Sequence, residues 1–368
     1  MRAVQIEKYG AAADVLSFRE DLPVPEITAD EVLIELHASS INPVDCAARA
    51  GYGKKIFSRM WGELPQILGR DASGVIAKVG SNVNGFKPGD EVYAAAHIGC
   101  NAEYVAVDTS HLALKPANLS HTQAACIPFV ALTTWTALVE NVGLNADTAA
   151  GKKILIPRAA GGVGSFAVQL MKAWGAHVVG LCSGGNTEFV RSLGADEVID
   201  YTQTDFSTVL KDFDCAFDTV GRASDFEVTE SRIAGASGEN FDEKLMSVLK
   251  RDGNAAYVTV CSPKMVLTDR YGLDEGQERA QQIYAQRAAE QAKLGRKYYW
   301  SFCNPSGENL QQITPLLEQG KIKPQIDRVF TIEDMVAAHE YCETKGAQGK
   351  IAIQIRSNQQ TETVAEVK

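Results

Sequence analysis

The residues Ile154-Leu-Ile-Pro-Arg-Ala-Ala-Gly-Gly-Val-Gly164 form an apolar strand that runs into glycines and then into a helix-like stretch beginning near Val163. Glycines at such a junction do chemistry through the backbone. Without a Cβ the chain can approach a diphosphate closely, and the first amides of a helix point their N–H groups at its charge. Ala159-x-Gly161-x-x-Gly164 fills the spacing of a dinucleotide fingerprint, with Ala159 in the first glycine position. Gly161 then admits the pyrophosphate, Gly164 lets the helix lie against the strand, and Ala160, Gly162 and Val163 complete the loop. A βα turn that binds nothing uses the same residue types, but the strand–turn–helix context favours a nucleotide.

A dinucleotide fold that takes a free ribose 2′-hydroxyl needs an acidic residue about 20 residues beyond the loop. The second strand, His177-Val-Val-Gly-Leu181, ends instead in Gly180-Leu-Cys-Ser183. A 2′-phosphate meets no carboxylate there, and Ser183, Asn186 and Tyr201 offer it hydrogen bonds, so the expected cofactor is NADPH. Ser183 and Tyr201 are also ordinary loop and strand-end residues. Asp218-Thr-Val-Gly221 and Val260-Cys-Ser262 close two further predicted strands, where open parallel sheets place their ligands, which assigns Val220 and Val260 to the nicotinamide side.

The elements that must position these residues fall into three stretches. Residues 1–123 show short alternating segments, such as Glu31-Val-Leu-Ile-Glu-Leu-His37, punctuated by turns such as Lys87-Pro-Gly-Asp90, and read as a compact β-rich domain. Residues 124–263 alternate apolar strands with helix-like runs, which predicts an α/β architecture with a doubly wound parallel sheet. Residues 264–356 carry a polar helix-like run from Gly276 to Lys293, read as solvated, then an aromatic cluster Tyr298-Tyr-Trp-Ser-Phe302. They end on the strand Lys350-Ile-Ala-Ile-Gln-Ile355, which suits the close of the parallel sheet and a return to the first domain. Residues 357–368 are polar and lack aromatics, so disorder is expected.

Composition removes several classes of function. At 368 residues with 45% hydrophobic and 22% charged side chains, the chain is expected to be an ordinary soluble protein of about two domains. A net charge of −10 argues against nucleic acid as a partner. No run approaches the roughly 18 uninterrupted apolar residues of a membrane span and the N-terminus has no basic-then-apolar leader, so a cytoplasmic protein is expected. Eight dispersed cysteines without C-x-x-C argue against a disulfide framework or a zinc knuckle and read as buried thiols. The six histidines show no H-x-x-x-H pairing and no Ser/His/Asp arrangement, so hydrolysis is unsupported, and Trp135, Trp174 and Trp300 read as packing residues.

Taken together, Ser40-Ile-Asn-Pro-Val-Asp45, Leu68-Gly-Arg-Asp-Ala-Ser-Gly-Val75, Gly85-Phe-Lys-Pro-Gly-Asp-Glu-Val92, Gln123-Ala-Ala-Cys-Ile-Pro128, the glycine loop and Leu193-Gly-Ala-Asp196 give the chain a family likeness. It resembles the medium-chain dehydrogenase/reductases, in their quinone oxidoreductase branch, from Met1 to about Ile355. Within that branch it is most similar to the reticulon-interacting mitochondrial oxidoreductases, through Gly69-Arg-Asp71, Tyr257-Val-Thr-Val260, Thr268-Asp-Arg270 and Tyr299-Trp-Ser-Phe302. The resemblance implies a GroES-like catalytic domain and a Rossmann domain with NADPH in the cleft, Phe302 among the cofactor contacts, and a homodimer. Pro157-Arg158 departs from the family, whose members carry a small residue or glycine there; Arg158 either reaches a phosphate or points to solvent.

Zinc-dependent members place a Cys where this chain has Asn42 and Gly-His-Glu where it has Gly69-Arg70-Asp71, and the structural-zinc lobe of four close cysteines is missing. No zinc is therefore expected. Asp45 is read as a cap or ion-pair residue, and Asp71 as the partner of Arg70. Without a Lewis acid, hydride delivery suits acceptors that are already electron-poor: quinones, enones and α,β-unsaturated thioesters. Two residues are candidate hydrogen-bond donors to such an acceptor. Tyr52, in Ala50-Gly-Tyr-Gly53, matches the tyrosine that protonates substrate in related enoyl-thioester reductases, or else covers the nicotinamide without donating. Asn42 contacts substrate, or else only shapes the turn before Pro43. The leading reading is an NADPH-dependent quinone or enone reductase; an enoyl-thioester reductase and an NADPH-binding interaction protein without turnover are the alternatives.

Overall fold

A computed structural model describes residues 1–221, 240–344 and 346–356. The disorder expected for 357–368 lies outside the described residues. Six strands, β1 (Lys153–Pro157), β2 (His177–Cys182), β3 (Glu197–Asp200), β4 (Cys215–Asp218), β5 (Ala255–Thr259) and β6 (Arg296–Trp300), form one sheet in the order β3-β2-β1-β4-β5-β6. Every neighbouring pair is parallel. The inner strands β1 and β2 are short, mostly aliphatic runs because both of their faces are covered. Ile154 and Ile156 enter one buried cluster with Phe166 and Leu170 of helix Gly162–Ala173, while Leu155 enters the cluster on the other face with Phe213 and Tyr257. The alternation is the period-two signature of a strand.

The aromatic cluster near residue 300 is the sixth strand. Its Tyr298 stacks on Tyr257 of β5 with ring centroids 5.3 Å apart. Before it lies helix Leu273–Lys293, in which Gly276 and Ala280 are the buried positions, so the polar run is solvated as expected. Gly276 is a point of close approach: a Cβ there would lie 2.4 Å from the Thr268 Cα of helix Lys264–Tyr271.

A second, seven-stranded sheet is built around the long strand Glu31–Ile41, which pairs antiparallel with Asp71–Val79, Tyr104–Asp108 and Lys350–Gln354. The chain thus returns to its first sheet after completing the parallel one, and this return brings Gly349 and Lys350 onto the glycine loop. The helical run His121–Asn141 is long and apolar enough to cross a membrane, yet 78% of its most apolar window is buried inside the protein, the state of a core helix. It lies in the cluster that joins the two sheets, with Leu132, Trp135 and Leu138 packed against Ile154 and Phe166.

Candidate active site

The order of the parallel sheet reverses between β1 and β4, and the glycine loop lies at the end of β1 beside that reversal. Crevices at such points take ligands because the loops on either side diverge. Gly164 is a steric requirement: a Cβ there would sit 2.3 Å from the Arg158 carbonyl oxygen and 2.8 Å from the Ala159 Cα. Gly162 faces Lys350, whose Cδ would lie 2.9 Å from an added Cβ. The Gly349 N–H donates to the Ala160 oxygen at 2.8 Å, fastening the returning chain to the loop. Gly161 is the cap of helix Gly162–Ala173, so the amides of Gly162, Val163 and Gly164 have no acceptor one turn earlier. The amides of Val163 and Gly164, with that of Gly162 beside the returning chain at Gly349, are helix-start donors of the kind that holds a diphosphate.

Arg158 adopts a left-handed backbone, φ 51°, in the position where the family resemblance implies glycine or a small residue. An L side chain is strained there by about 1–2 kcal/mol, which explains the usual glycine. The side chain folds back over the loop, with Cγ and Nε 3.4 Å from where a Gly161 Cβ would be, and it lines both halves of the cleft. Burial lowers its pKa, against the fields of Cys342, Cys261 and Tyr201. Arg158 therefore faces the cleft and not bulk solvent.

Asp218 at the end of β4 is fully buried and accepts from the Val220 N–H at 2.8 Å, the Gly221 N–H at 3.1 Å and the Tyr257 hydroxyl at 2.5 Å. Burial raises its pKa against those hydrogen bonds. The clamp fixes the turn carrying Val220, and Thr219 Oγ1 donates to the Pro157 oxygen at 3.2 Å, tying the ends of β4 and β1 together. Val220, Val260 and Phe302 all line the wide half of the cleft; Phe302 is 40% exposed, with Lys264 Nζ 5.5 Å from its ring centroid.

Beyond β2, Asn186 donates to Ser183 Oγ at 3.0 Å and accepts from the Gln348 side chain at 2.8 Å, while Tyr201 is 45% exposed. One acidic group escaped the spacing argument. Asp200 ends β3 in register with Cys182, and its Oδ2 lies 2.5 Å from where a Gly184 Cβ would be. The carboxylate missing from the second strand is thus supplied beside the same loop by the third.

The wide half of the cleft has a volume of about 390 Å³ and an aromatic wall. Phe57 and Trp61, one turn apart on helix Lys54–Trp61, stack with centroids 4.1 Å apart. Tyr52 lines this half, buried in a cluster with Ala47, Phe57 and Val266. His97 faces the same space, its pKa lowered by burial, then by His111 and Arg70.

Asn42 and Gly161 to Gly164 line the narrow half, of about 110 Å³. The Asn42 amide is engaged at both ends: Nδ2 donates to Asp71 at 2.9 Å and Oδ1 accepts from Lys350 Nζ. The pairing expected between Asp71 and Arg70 is corrected. Asp71 is fully buried and accepts from Ser40, Asn42, the Phe129 N–H and Lys350, the last at 3.2 Å, whereas Arg70 pairs with Asp45 at 3.5 Å. Successive extended residues point to opposite faces, so side chains adjacent in the chain do not meet. Asp45 also accepts from the Asn42 N–H at 2.9 Å, the capping role expected of it. Burial raises its pKa, opposed first by Arg70.

Trp61, Arg70, Phe129 and Lys350 are site residues that spacing did not reveal. Among the described residues no three His, Cys, Asp or Glu side chains cluster as metal ligands. A neutral amide, a guanidinium and a carboxylate already holding a lysine stand where zinc ligands would be, and this donor set does not fit the ion.

A GroES-like first sheet, a nucleotide-binding parallel sheet and a cleft between them define a dehydrogenase architecture, and family comparison agrees. Residues 28–118 match the alcohol dehydrogenase GroES-like domain and residues 193–353 match the zinc-binding dehydrogenase family. The chain belongs to the medium-chain dehydrogenase/reductases. It is similar to NAD(P)H oxidoreductase RTN4IP1, mitochondrial, of Danio rerio, at 37% identity over 98% of this chain and 92% of that protein. It is also 35% identical to the 2-methylene-furan-3-one reductase of Solanum lycopersicum, covering 96% of this chain and 79% of the relative. Among solved structures, the quinone oxidoreductase from Coxiella burnetii superposes with a TM-score of 0.76 at 29% identity, covering 97% of this chain and 99% of the other. The chain is an NAD(P)H oxidoreductase. The expectation of a cytoplasmic protein is overturned by the mitochondrial relatives, which point to mitochondria instead.

Proposed function

We propose that the protein is an NADPH-dependent, zinc-independent reductase of quinones or other α,β-unsaturated carbonyl acceptors. The observation that carries this reading is a pair of adjoining cavities that share Phe129, Arg158, Val163 and Thr219 in their walls, with backbone donors at the narrow end and an aromatic wall around Arg70 at the wide end. Ala160, Gly161, Gly162, Val163 and Gly164 would hold the diphosphate, Ser183, Asn186 and Tyr201 the ribose end, and Val220, Val260 and Phe302 the nicotinamide. When bound, NADPH supplies a hydride. The protein's own residues orient the acceptor over it, keep water out with the rings of Phe57, Trp61 and Phe129, and place Tyr52 as a hydroxyl at the cleft wall.

Asn42 is assigned to positioning: with both ends of its amide engaged, it locks Lys350 and Asp71 beneath the glycine loop. NADPH is preferred over NADH because Ser183, Asn186 and Tyr201 offer a 2′-phosphate hydrogen bonds, and Arg158, which lies within the field of Tyr201, adds a cation on the same side of the cleft. Tyr52 in the wall favours a second reading, an enoyl-thioester reductase in which it donates the proton. A homodimer belongs to the same proposal, and sedimentation velocity checks it. The deciding experiment follows NADPH oxidation with quinones, enones and enoyl-CoA esters after chelation. Turnover with quinones or enones is expected, turnover confined to enoyl-CoA moves the assignment to the second reading, and NADPH binding with no oxidation by any acceptor overturns both in favour of an interaction protein.

A further inference from the structure

We propose that the Arg70 guanidinium is the group that takes up the negative charge arriving on the acceptor's oxygen, the electrophile of this metal-free site. The inference rests on the reductase reading above and names the residue that makes it work.

Arg70 stands directly before strand Asp71–Val79 and forms part of the wall of the wide half of the cleft. Its guanidinium carbon lies 4.5 Å from the Trp61 ring centroid, 5.3 Å from that of Phe57 and 5.5 Å from that of Phe129. Cation–π contact of this kind holds the planar group in place without consuming its N–H donors. Its one ion pair within 4 Å among the described residues is through Nε, 3.5 Å from Asp45 Oδ1. Nη2 is buried and meets no acceptor among the described residues, and Trp61 Nε1 beside it is in the same condition. Buried donors are ordinarily satisfied, and the exceptions call for a ligand or a functional account.

A flat conjugated acceptor suits that environment. Its ring or enone plane packs against the aromatic wall, and its carbonyl oxygen brings the acceptor that the guanidinium lacks. As hydride adds to the β carbon, the C=C electron pair moves toward the carbonyl and charge collects on the oxygen as an enolate; in a quinone adduct, transfer of the ring C–H proton to oxygen then gives the hydroquinone anion. Arg70 keeps all its protons and stabilises that anion by charge-assisted hydrogen bonding. A proton from Tyr52 or water then neutralises the product; the dihydronicotinamide has been oxidised and the acceptor reduced by two electrons. The acceptor seated against the rings would displace water from the guanidinium, and the attraction would then be stronger than in solvent.

The test compares wild type, Arg70→Lys and Arg70→Met in three measurements: quinone turnover, NADPH affinity by cofactor fluorescence, and the ionisation of 4-nitrophenol bound to the protein without cofactor. Nitrophenolate mimics the anion, and its colour reports its charge. Arg70→Met is expected to lower kcat by about a hundredfold or more with the NADPH dissociation constant within about twofold, and Arg70→Lys to recover part of the loss. Bound nitrophenol should ionise at lower pH in wild type and Arg70→Lys than in Arg70→Met. Turnover of Arg70→Met within about threefold of wild type overturns the proposal, as does a loss of NADPH affinity that accounts for the slowed turnover, or an unchanged nitrophenol ionisation. If wild type reduces no acceptor, the reductase reading fails by itself, and nitrophenol ionisation still decides whether Arg70 is an anion site.

Discussion

The two ends of the cleft handle charge by opposite means. At the narrow end the donors are backbone amides of Gly162 to Gly164, held open because a side chain at Gly164 would strike the Arg158 carbonyl at 2.3 Å. At the wide end the donor is one guanidinium fenced by Phe57, Trp61 and Phe129. A backbone cradle recognises a group common to every dinucleotide and tolerates little change; an aromatic wall recognises shape and conjugation. On the proposed assignment the diphosphate cradle and the aromatic wall are different residues, so substitutions should separate diphosphate binding from acceptor binding.

The largest effect is expected at the cradle. Gly164→Val forces the loop apart and should weaken dinucleotide binding by a hundredfold or more, on the order of 3 kcal/mol, read by fluorescence titration. Near-normal binding would break the comparison at its rigid end. Tyr52→Phe tests the wide end. It should leave quinone reduction largely intact and, if the enzyme reduces enoyl thioesters, cut that turnover by on the order of a hundredfold, because protonation at carbon in a closed cleft needs a positioned hydroxyl.

Arg158→Gly is expected to relieve about 1 kcal/mol of backbone strain, visible as a higher Tm, while weakening NADPH binding by about tenfold and changing the quinone KM by much less. A quinone KM that rose with the NADPH constant would show that the two ends are not separate. Ser183→Asp should shift preference toward NADH by about tenfold and Asp200→Asn toward NADPH by less, measured as ratios of dissociation constants. The smallest effect links Arg70 to its neighbour. His97 is held below its usual pKa by burial, then His111 and Arg70, so Arg70→Met should raise its pKa, a change followed by histidine NMR.

The narrow end was legible because it is local: strand, glycines and helix follow each other within residues 153–173, and their spacing states the backbone geometry. The parallel sheet was legible for the same reason, since aliphatic runs such as Lys153-Ile-Leu-Ile156 state their burial directly. The wide end was not, because Trp61, Arg70 and Phe129 come from different elements and meet only through packing. Gly69-Arg-Asp71 suggested an ion pair between neighbours in the chain, yet the extended backbone sends those side chains to opposite faces and gives Asp71 to Lys350. Asp200 was missed likewise, since its place beside the Ser183–Asn186 loop depends on the lateral register of β3 against β2.

The central claim is direct hydride delivery to a conjugated acceptor at a site without metal. It is tested most directly with NADPH deuterated at the transferred position, an enone acceptor and chelated enzyme, the product being analysed by mass spectrometry and NMR. One deuterium is expected at the β carbon of the product, at a rate unchanged by chelation. Product carrying no deuterium there, or a rate that collapses on chelation and returns with zinc, would contradict it.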